Sequence, residues 1–385
     1  MVQKIFTLCI TCIIFNFLFG QDSCHFRISL LTCTPGRELY STFGHSALRV
    51  TDSESNIDII FNYGTFDFDD PNFYSKFTRG KLLYFVSVNR FDNFVQEYTY
   101  EQRGIMEQVI HLSCQDKEKL FDALRENAKE ENKFYKYDFI HDNCTTRLRD
   151  IVFKNTTGTL QTKNIRPGQG VTFRNLIHEY LNKSYQCWSK LGIDILLGSP
   201  VDKKITNSEA MFLPDYLLKG FDSTSVDGEP LVSEKKEILK STLPPDKSPL
   251  LSPFAIFAIL FLMIALLSFV KNTNKFFAVF DFILFFFSGA LGILILFMWL
   301  GTDHPECRNN FNLAWAFPFH IVSVFLIYRK RDWLRYYFFA NAFLLFLLLI
   351  FWVWLPQEMN NAQVPIICIL FLRSIVRYKK FGHGH

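Results

Sequence analysis

One polar run, Tyr137-Asp-Phe-Ile-His-Asp-Asn-Cys144-Thr-Thr-Arg147-Leu-Arg149-Asp150, has a thiol at its centre. Of the nine cysteines in the chain, Cys144 has the surroundings expected of a nucleophile: Asn143 precedes it, Thr145 follows, and Arg147 and Arg149 bring positive charge one to two helical turns away. A second polar run, Tyr40-Ser-Thr-Phe-Gly44-His45-Ser46-Ala-Leu-Arg49-Val50, supplies an imidazole. A thiol becomes a good acyl acceptor once a nearby imidazole takes its proton, and a third polar group commonly fixes the imidazole tautomer. The sequence offers Cys144, His45 and, as orienter, either Asn62 or Asp67; Asn62 lies in Phe61-Asn-Tyr63-Gly64. His141 is a rival base, but it sits on the loop entering the cysteine helix and is poorly placed to share a face with the thiol. Spacing alone leaves the plain alternatives open: Cys144 as half of a disulfide, and each histidine as an ordinary core or surface side chain.

Stepping outward to the elements, residues 26, 28 and 30 alternate as a strand and Thr34-Pro35-Gly36 marks a turn. Residues 46–50 read as a second strand and 57–63 as its antiparallel partner across a polar hairpin turn, so His45 falls at a strand start and Asn62 on the strand beside it. Strands about 5 Å apart bring such side chains within reach of each other. Residues 72–79 read as a short helix, 81–89 as a strand, 91–106 as a helix, 107–112 as a strand and 116–127 as a helix. Residues 143–154 read as a helix carrying Cys144 in its first turn, where free N–H groups and the positive end of the dipole favour thiolate. Further helical patterns cover 172–181 and parts of 191–220.

At 385 residues the chain suggests two or three units. Its net charge of +4 is too small and too localised to suggest nucleic acid. Residues 1–20 have the layout of a signal peptide, with Lys4 ahead of an apolar stretch. Export places Cys24, Cys33, Cys114, Cys144 and Cys187 in an oxidising compartment; an odd set of five leaves at least one thiol free, and Cys144 is the natural choice. Residues 21–220 form the exported catalytic domain, and 221–250, rich in polar and breaker residues, a linker. Residues 251–385 form a membrane domain with about five spans, at 254–270, 276–300, 311–328, 333–355 and 364–376. Basic residues follow the first, third and fifth of these, which places those ends in the cytoplasm and the N-terminal domain outside it. Asp303, His304, Glu306 and Cys307 lack a second ligand pair at zinc spacing, so no metal is expected, and the chemistry calls for no cofactor. His320 is a polar group at membrane depth, either functional or bonded to a neighbouring helix.

The order of histidine first and cysteine later resembles the circularly permuted papain-like families, among them the NlpC-like hydrolases and lecithin:retinol acyltransferase. More closely, Phe43-Gly-His45-Ser-Ala-Leu-Arg49-Val, Asn62-Tyr-Gly-Thr-Phe-Asp67-Phe and Asp142-Asn-Cys-Thr-Thr-Arg-Leu-Arg-Asp150 resemble the Lnb-type lipoprotein N-acyltransferases of Bacteroidetes. The order of signal peptide, domain, linker and multi-span tail is similar too. The resemblance implies an α+β, permuted papain-like (NlpC-like) thiol domain followed by an α-helical membrane bundle, in the inner membrane with the first domain in the periplasm. It implies that Cys144, with His45 and Asn62, takes an acyl group from a phospholipid as a thioester and passes it to the α-amine of a diacylated lipoprotein. Tyr40, Ser46, Tyr63, Asp67, Asn143, Thr145, Arg147 and Arg149 are then expected to support the site or bind substrate, with backbone N–H groups at the helix start holding the oxyanion. Two other classes compete: a cysteine hydrolase (peptidase or amidase) of the cell envelope, disfavoured by the membrane tail, and a non-catalytic membrane scaffold, which would leave the two polar runs unexplained.

Overall fold

The computed structural model describes residues 24–326 and 333–382. The segment 1–20, expected to be a signal peptide, the basic triplet 329–331 and the tail 383–385 lie outside the described residues.

The first part of the chain builds one antiparallel sheet. Its strands are β1 (Phe26–Cys33), β2 (His45–Asp52), β3 (Ile57–Thr65), β4 (Leu83–Arg90), β5 (Ile105–Ile110), β6 (Phe134–Lys136) and, much later, β10 (Val232–Leu239), in the order β10-β5-β1-β2-β3-β4-β6. A small sheet is formed by β7 (Leu160–Thr162), β8 (Thr224–Val226) and β9 (Glu229–Pro230). The helices of this part are α1 (Phe73–Thr78), α2 (Phe91–Tyr100), α3 (Cys114–Asn127), α4 (Cys144–Lys154), α5 (Phe173–Lys183), α6 (Cys187–Leu196), α7 (Asn207–Ala210) and α8 (Pro214–Asp222).

Alternation along the strands explains the layering. Ile28, Leu30, Leu48, Val50, Phe61 and Tyr63 face a core closed by Leu120 and Leu124 of α3, Leu148 and Val152 of α4, and Leu217 and Phe221 of α8. The intervening Leu31, Cys33, Ala47 and Ile60 face Phe94 and Tyr98 of α2. Both sheet faces are thus covered, and β1 is buried along six of its eight residues. Cys24 and Cys114 form a disulfide that ties the start of β1 to the start of α3. Among the described residues Cys33, Cys144 and Cys187 of this part remain thiols, so the free thiol expected at Cys144 has company.

Two stretches differ from expectation. The helix expected over 91–106 ends at Tyr100, because Gln102 takes a left-handed φ of 60° and Ile105 already belongs to β5. Residues 221–250, expected to be a linker, are strands over most of 224–239, and β10 pairs with β5 from Val232 opposite Ile110 to Leu239 opposite Ile105. Its Glu234-Lys-Lys-Glu237 run hides the strand signal because it lies on an open edge, where charges discourage further pairing.

The second part is helical: α9 (Pro253–Leu267), α10 (Asn274–Leu300), α11 (His320–Leu326), α12 (Trp333–Ile350) and α13 (Gln363–Gly382). Each apolar stretch is helical over part of its expected length. Among the described residues α10 and α12 are long and apolar enough to cross a membrane, whereas α9 has only 15 residues. The third stretch is not one helix from residue 311. It opens in a 3-10 turn, Phe311–Ala314, and turns helical at His320, after Pro318. Inside this bundle Arg373 of α13 meets Asp281 of α10 through two bonds, Nε to Oδ1 at 2.6 Å and Nη2 to Oδ2 at 2.9 Å, and Arg377 adds a third to Oδ2. His320 bonds Tyr337 of α12 and the Trp315 carbonyl, the structural alternative for a polar group at this depth.

Polar loops of the second part dock onto the first. Asn310 donates to the Ile195 and Leu196 carbonyls, Gln357 to that of Leu197, and Asn360 to the Asp194 carboxylate at 2.8 Å. The Asp303 N–H donates to the Arg79 carbonyl, and Lys136 pairs with Asp303 at 2.7 Å. The loops touched are those after α10 and after α12, which lie at the same end of the bundle as the start of α9.

Candidate active site

Cys144 is the first residue of α4, and its presentation is fixed by the residue before it. Asn143 caps the helix, its Oδ1 accepting from the N–H groups of Thr145 (2.8 Å) and Thr146 (2.9 Å), while Thr146 Oγ1 accepts from the Asn143 N–H at 2.9 Å. This is a capping box. The Asn143 amide also donates to the Phe139 and Phe212 carbonyls, at 2.7 and 2.9 Å, so the cap is pinned on both sides.

His45 begins β2, directly opposite Cys33 at the end of β1. Gly44 before it has φ +80°, and a Cβ there would stand 2.7 Å from the Cys33 carbonyl oxygen, so the approach to His45 requires glycine. The β2–β3 ladder runs from Asp52 opposite Ile57 to Leu48 opposite Phe61, and His45 and Asn62 lie just beyond it. There His45 Nε2 meets Asn62 Oδ1 at 2.6 Å. Asp67 is exposed and accepts from the Asp69 N–H in a local turn, so of the two possible orienters it is Asn62 that touches the imidazole. His141 is exposed, its ring edge-on to Phe173.

The Cys144 thiol is the neighbour of the His45 ring, and each shifts the other. Burial would raise the thiol pKa, but His45, the Thr145 hydroxyl and the Ser46 N–H outweigh it and bring Cys144 down to about 7. Burial likewise disfavours imidazolium at His45, yet Cys144 and Asn62 hold its pKa above the ordinary value. Thr145 Oγ1 is 3.6 Å from the sulfur. Cys33 stays an ordinary thiol: burial pushes it up to about 12.

The other expected site residues divide. Ser46, fully buried, and Thr145 belong to the site. Tyr63 is a core residue whose hydroxyl accepts from Asn127 Nδ2 at 2.8 Å. Arg147 pairs with Asp142 and lies 3.5 Å over the Tyr135 ring; Arg149 bonds Asp150 and the Ser208 carbonyl. Both guanidinium groups are used in holding the domain together. Tyr40 is 72 % exposed on the 3-10 turn Leu39–Ser41.

Two contributors escaped the sequence reading. Gly64, at φ +89° where the β3–β4 register shifts, brings backbone so close that a Cβ there would be 3.5 Å from Cys144 Cβ. Tyr137, stacked on Tyr84 at 4.3 Å, comes up beside Gly64 at the same point as Cys144. Both lie in runs that the sequence singles out, Asn62-Tyr63-Gly64 and the run that opens at Tyr137, but neither residue type nor spacing signals their contact with the thiol.

Two family models match the chain. One, described as the Lnb N-terminal periplasmic domain, covers residues 21–179, and the other, the Lnb transmembrane domain, covers residues 245–381. No curated protein and no solved structure matches it.

Proposed function

Because the chain belongs to the Lnb family, we propose that it is a lipoprotein N-acyltransferase of the inner membrane, with its first domain in the periplasm. It moves an acyl chain from a phospholipid, through a thioester on Cys144, to the α-amine of a diacylated lipoprotein. The observation that carries this reading is the Cys144 thiol, lowered to about 7 beside a histidine that Asn62 orients. The domain is read as a permuted papain-like fold on the order of its parts, a histidine strand before a cysteine helix.

An Nε2–H donated to Asn62 leaves Nδ1 as the atom that exchanges a proton with the thiol. The thiolate attacks the ester carbonyl; the bond to the glycerol oxygen breaks, and imidazolium gives its proton to the leaving lysophospholipid alkoxide. The lipoprotein amine then attacks the thioester, His45 takes a proton from nitrogen, and the carbon–sulfur bond breaks to restore thiolate and imidazolium. Asn143 already holds the Thr145 and Thr146 N–H groups, so the N–H of Cys144 itself is the helix donor offered to the oxyanion. Docking of the loops after α10 and α12 on the first domain supports a topology in which both stand on the periplasmic side.

Purified full-length protein in phospholipid nanodiscs with a diacylated lipopeptide is expected to add one acyl chain to the peptide, read by mass, and Cys144→Ala is expected to abolish it. Full transfer by Cys144→Ala would rule out the thioester. Free fatty acid without any gain on the peptide would instead identify an envelope hydrolase.

A further inference from the structure

The segment between β3 and β4 carries an aromatic surface that the fold leaves uncovered. Phe68, Tyr74 and Phe77 are 69, 80 and 52 % exposed, on and just before a short helix whose flank also exposes Arg79 and Lys81. An apolar patch of this kind marks an interaction surface. What lies beneath is visible in its anchoring: the Arg79 carbonyl accepts from the Asp303 N–H, the Phe77 carbonyl lies 3.2 Å from His304 Nε2, and Gly80 packs on His304. Asp303 and His304 follow directly on α10, an apolar helix long enough to span a bilayer that ends at Leu300. The aromatic segment therefore sits at the level where a bilayer's headgroups would begin, the depth that aromatic and basic side chains favour.

From that surface a line of rings leads inward. Phe68 contacts Phe66 at 4.8 Å between centroids, Phe66 contacts Tyr84 at 5.3 Å, and Tyr84 stacks on Tyr137 at 4.3 Å. Tyr137 and Cys144 Cβ then approach the same spot beside Gly64, within 3.8 and 3.5 Å of where its Cβ would be. The line is continuous from the exposed patch to the thiol.

We propose that residues 66–80 form a membrane-contacting lip that receives a phospholipid from the outer leaflet and guides its acyl ester along Phe66, Tyr84 and Tyr137 to Cys144. Arg79 and Lys81 suit the phosphate, and the rings suit the chain. The proposal deepens the acyltransferase reading and rests on it for the ester's fate, but contact with lipid can be judged without it.

The test has two arms on the full-length protein in nanodiscs. With a benzophenone amino acid in place of Phe77, illumination is expected to give a phospholipid adduct by intact mass, whereas the same probe at Ser55, in the turn at the far end of β2 from His45, gives none. No adduct at Phe77, or equal adducts at both positions, overturns the lip. In the second arm the triple variant Phe68→Ser, Tyr74→Ser, Phe77→Ser is expected to lose at least tenfold in acylation of Cys144 by the nanodisc phospholipid while its alkylation by soluble iodoacetamide stays within twofold. Unchanged acylation overturns the lip, and a matching loss in alkylation shows a damaged site instead and counts against it. If the unaltered protein is never acylated by phospholipid, the acyltransferase reading falls and the cross-link alone decides the surface.

Discussion

At the scale of single residues, the thiol and imidazole are set against what burial alone would do to them. Burial opposes charge on both, and only their mutual attraction, with help from Thr145, the Ser46 N–H and Asn62, lowers the thiol to about 7 and holds the imidazole above its ordinary value. Alkylation of Cys144 should therefore rise with pH through a midpoint near 7, below the ordinary thiol value. His45→Ala removes the main opposing influence, so burial prevails and the midpoint moves upward, with transfer reduced by about 10²–10⁴-fold. Asn62→Ala, which leaves the imidazole in place but unoriented, should cost less than His45→Ala. A stopped-flow alkylation series across pH 5–10 reads the midpoint, and a midpoint in the histidine variant that stays near 7 would remove His45 from the pair.

At the scale of elements, α4 is the part on which the site depends, and its start is over-determined. Asn143 makes four side-chain bonds, two accepted from the helix and two donated to carbonyls of the preceding loop and the α7–α8 turn. Removing them in Asn143→Ala leaves buried groups unpaired, and thermal or urea unfolding should show a loss of about 2 kcal/mol or more. Asn143→Asp keeps the acceptor for the cap but turns a buried carboxylate oxygen toward the Phe139 and Phe212 carbonyls, so it should lose at least as much as Asn143→Ala. Asn143 thus fixes the helix start that carries Cys144. The helix start near Cys144 was legible in the sequence, because helix signals are local, whereas the cap made by Asn143 emerged only with the structure. The β10 strand was not legible, because an edge strand with charges on both sides lacks the alternation that betrays a half-buried one.

For the whole molecule, the joint between the two parts contains a buried acid. Glu306, on the loop after α10, has its carboxyl pushed well above the ordinary range, by burial first and then by Asp138, which lies on the loop leading to Cys144. Because the folded value is raised, the docked state holds the proton that an unfolded chain would release. Its contribution is fully present below the ordinary carboxyl pKa and is lost as pH rises through the raised value. Hydrogen exchange across residues 303–307 and 136–138 should therefore quicken between pH 6 and 9, beyond the intrinsic base catalysis of exchange, and Glu306→Gln should remove that excess. Equal pH dependence in both proteins would free the joint from this residue. The joint matters because it ties the first domain to the loops after α10 and α12, through Asn360 on Asp194 and Lys136 on Asp303.

The sequence by itself determined the pieces whose signals are local: a histidine at a strand start, a cysteine in the first turn of a helix, the alternating strands and the apolar stretches. It also carried the family resemblance, which the two matched domains bear out. Only the tertiary structure put Asn62 rather than Asp67 against the His45 ring, engaged Arg147 and Arg149 in ion pairs, brought Gly64 and Tyr137 close to Cys144, and joined residues 303–312 and 356–360 to the first domain. These are contacts between elements far apart in the chain. They follow from which faces pack and where strands part, and side-chain type and spacing along one segment do not encode that.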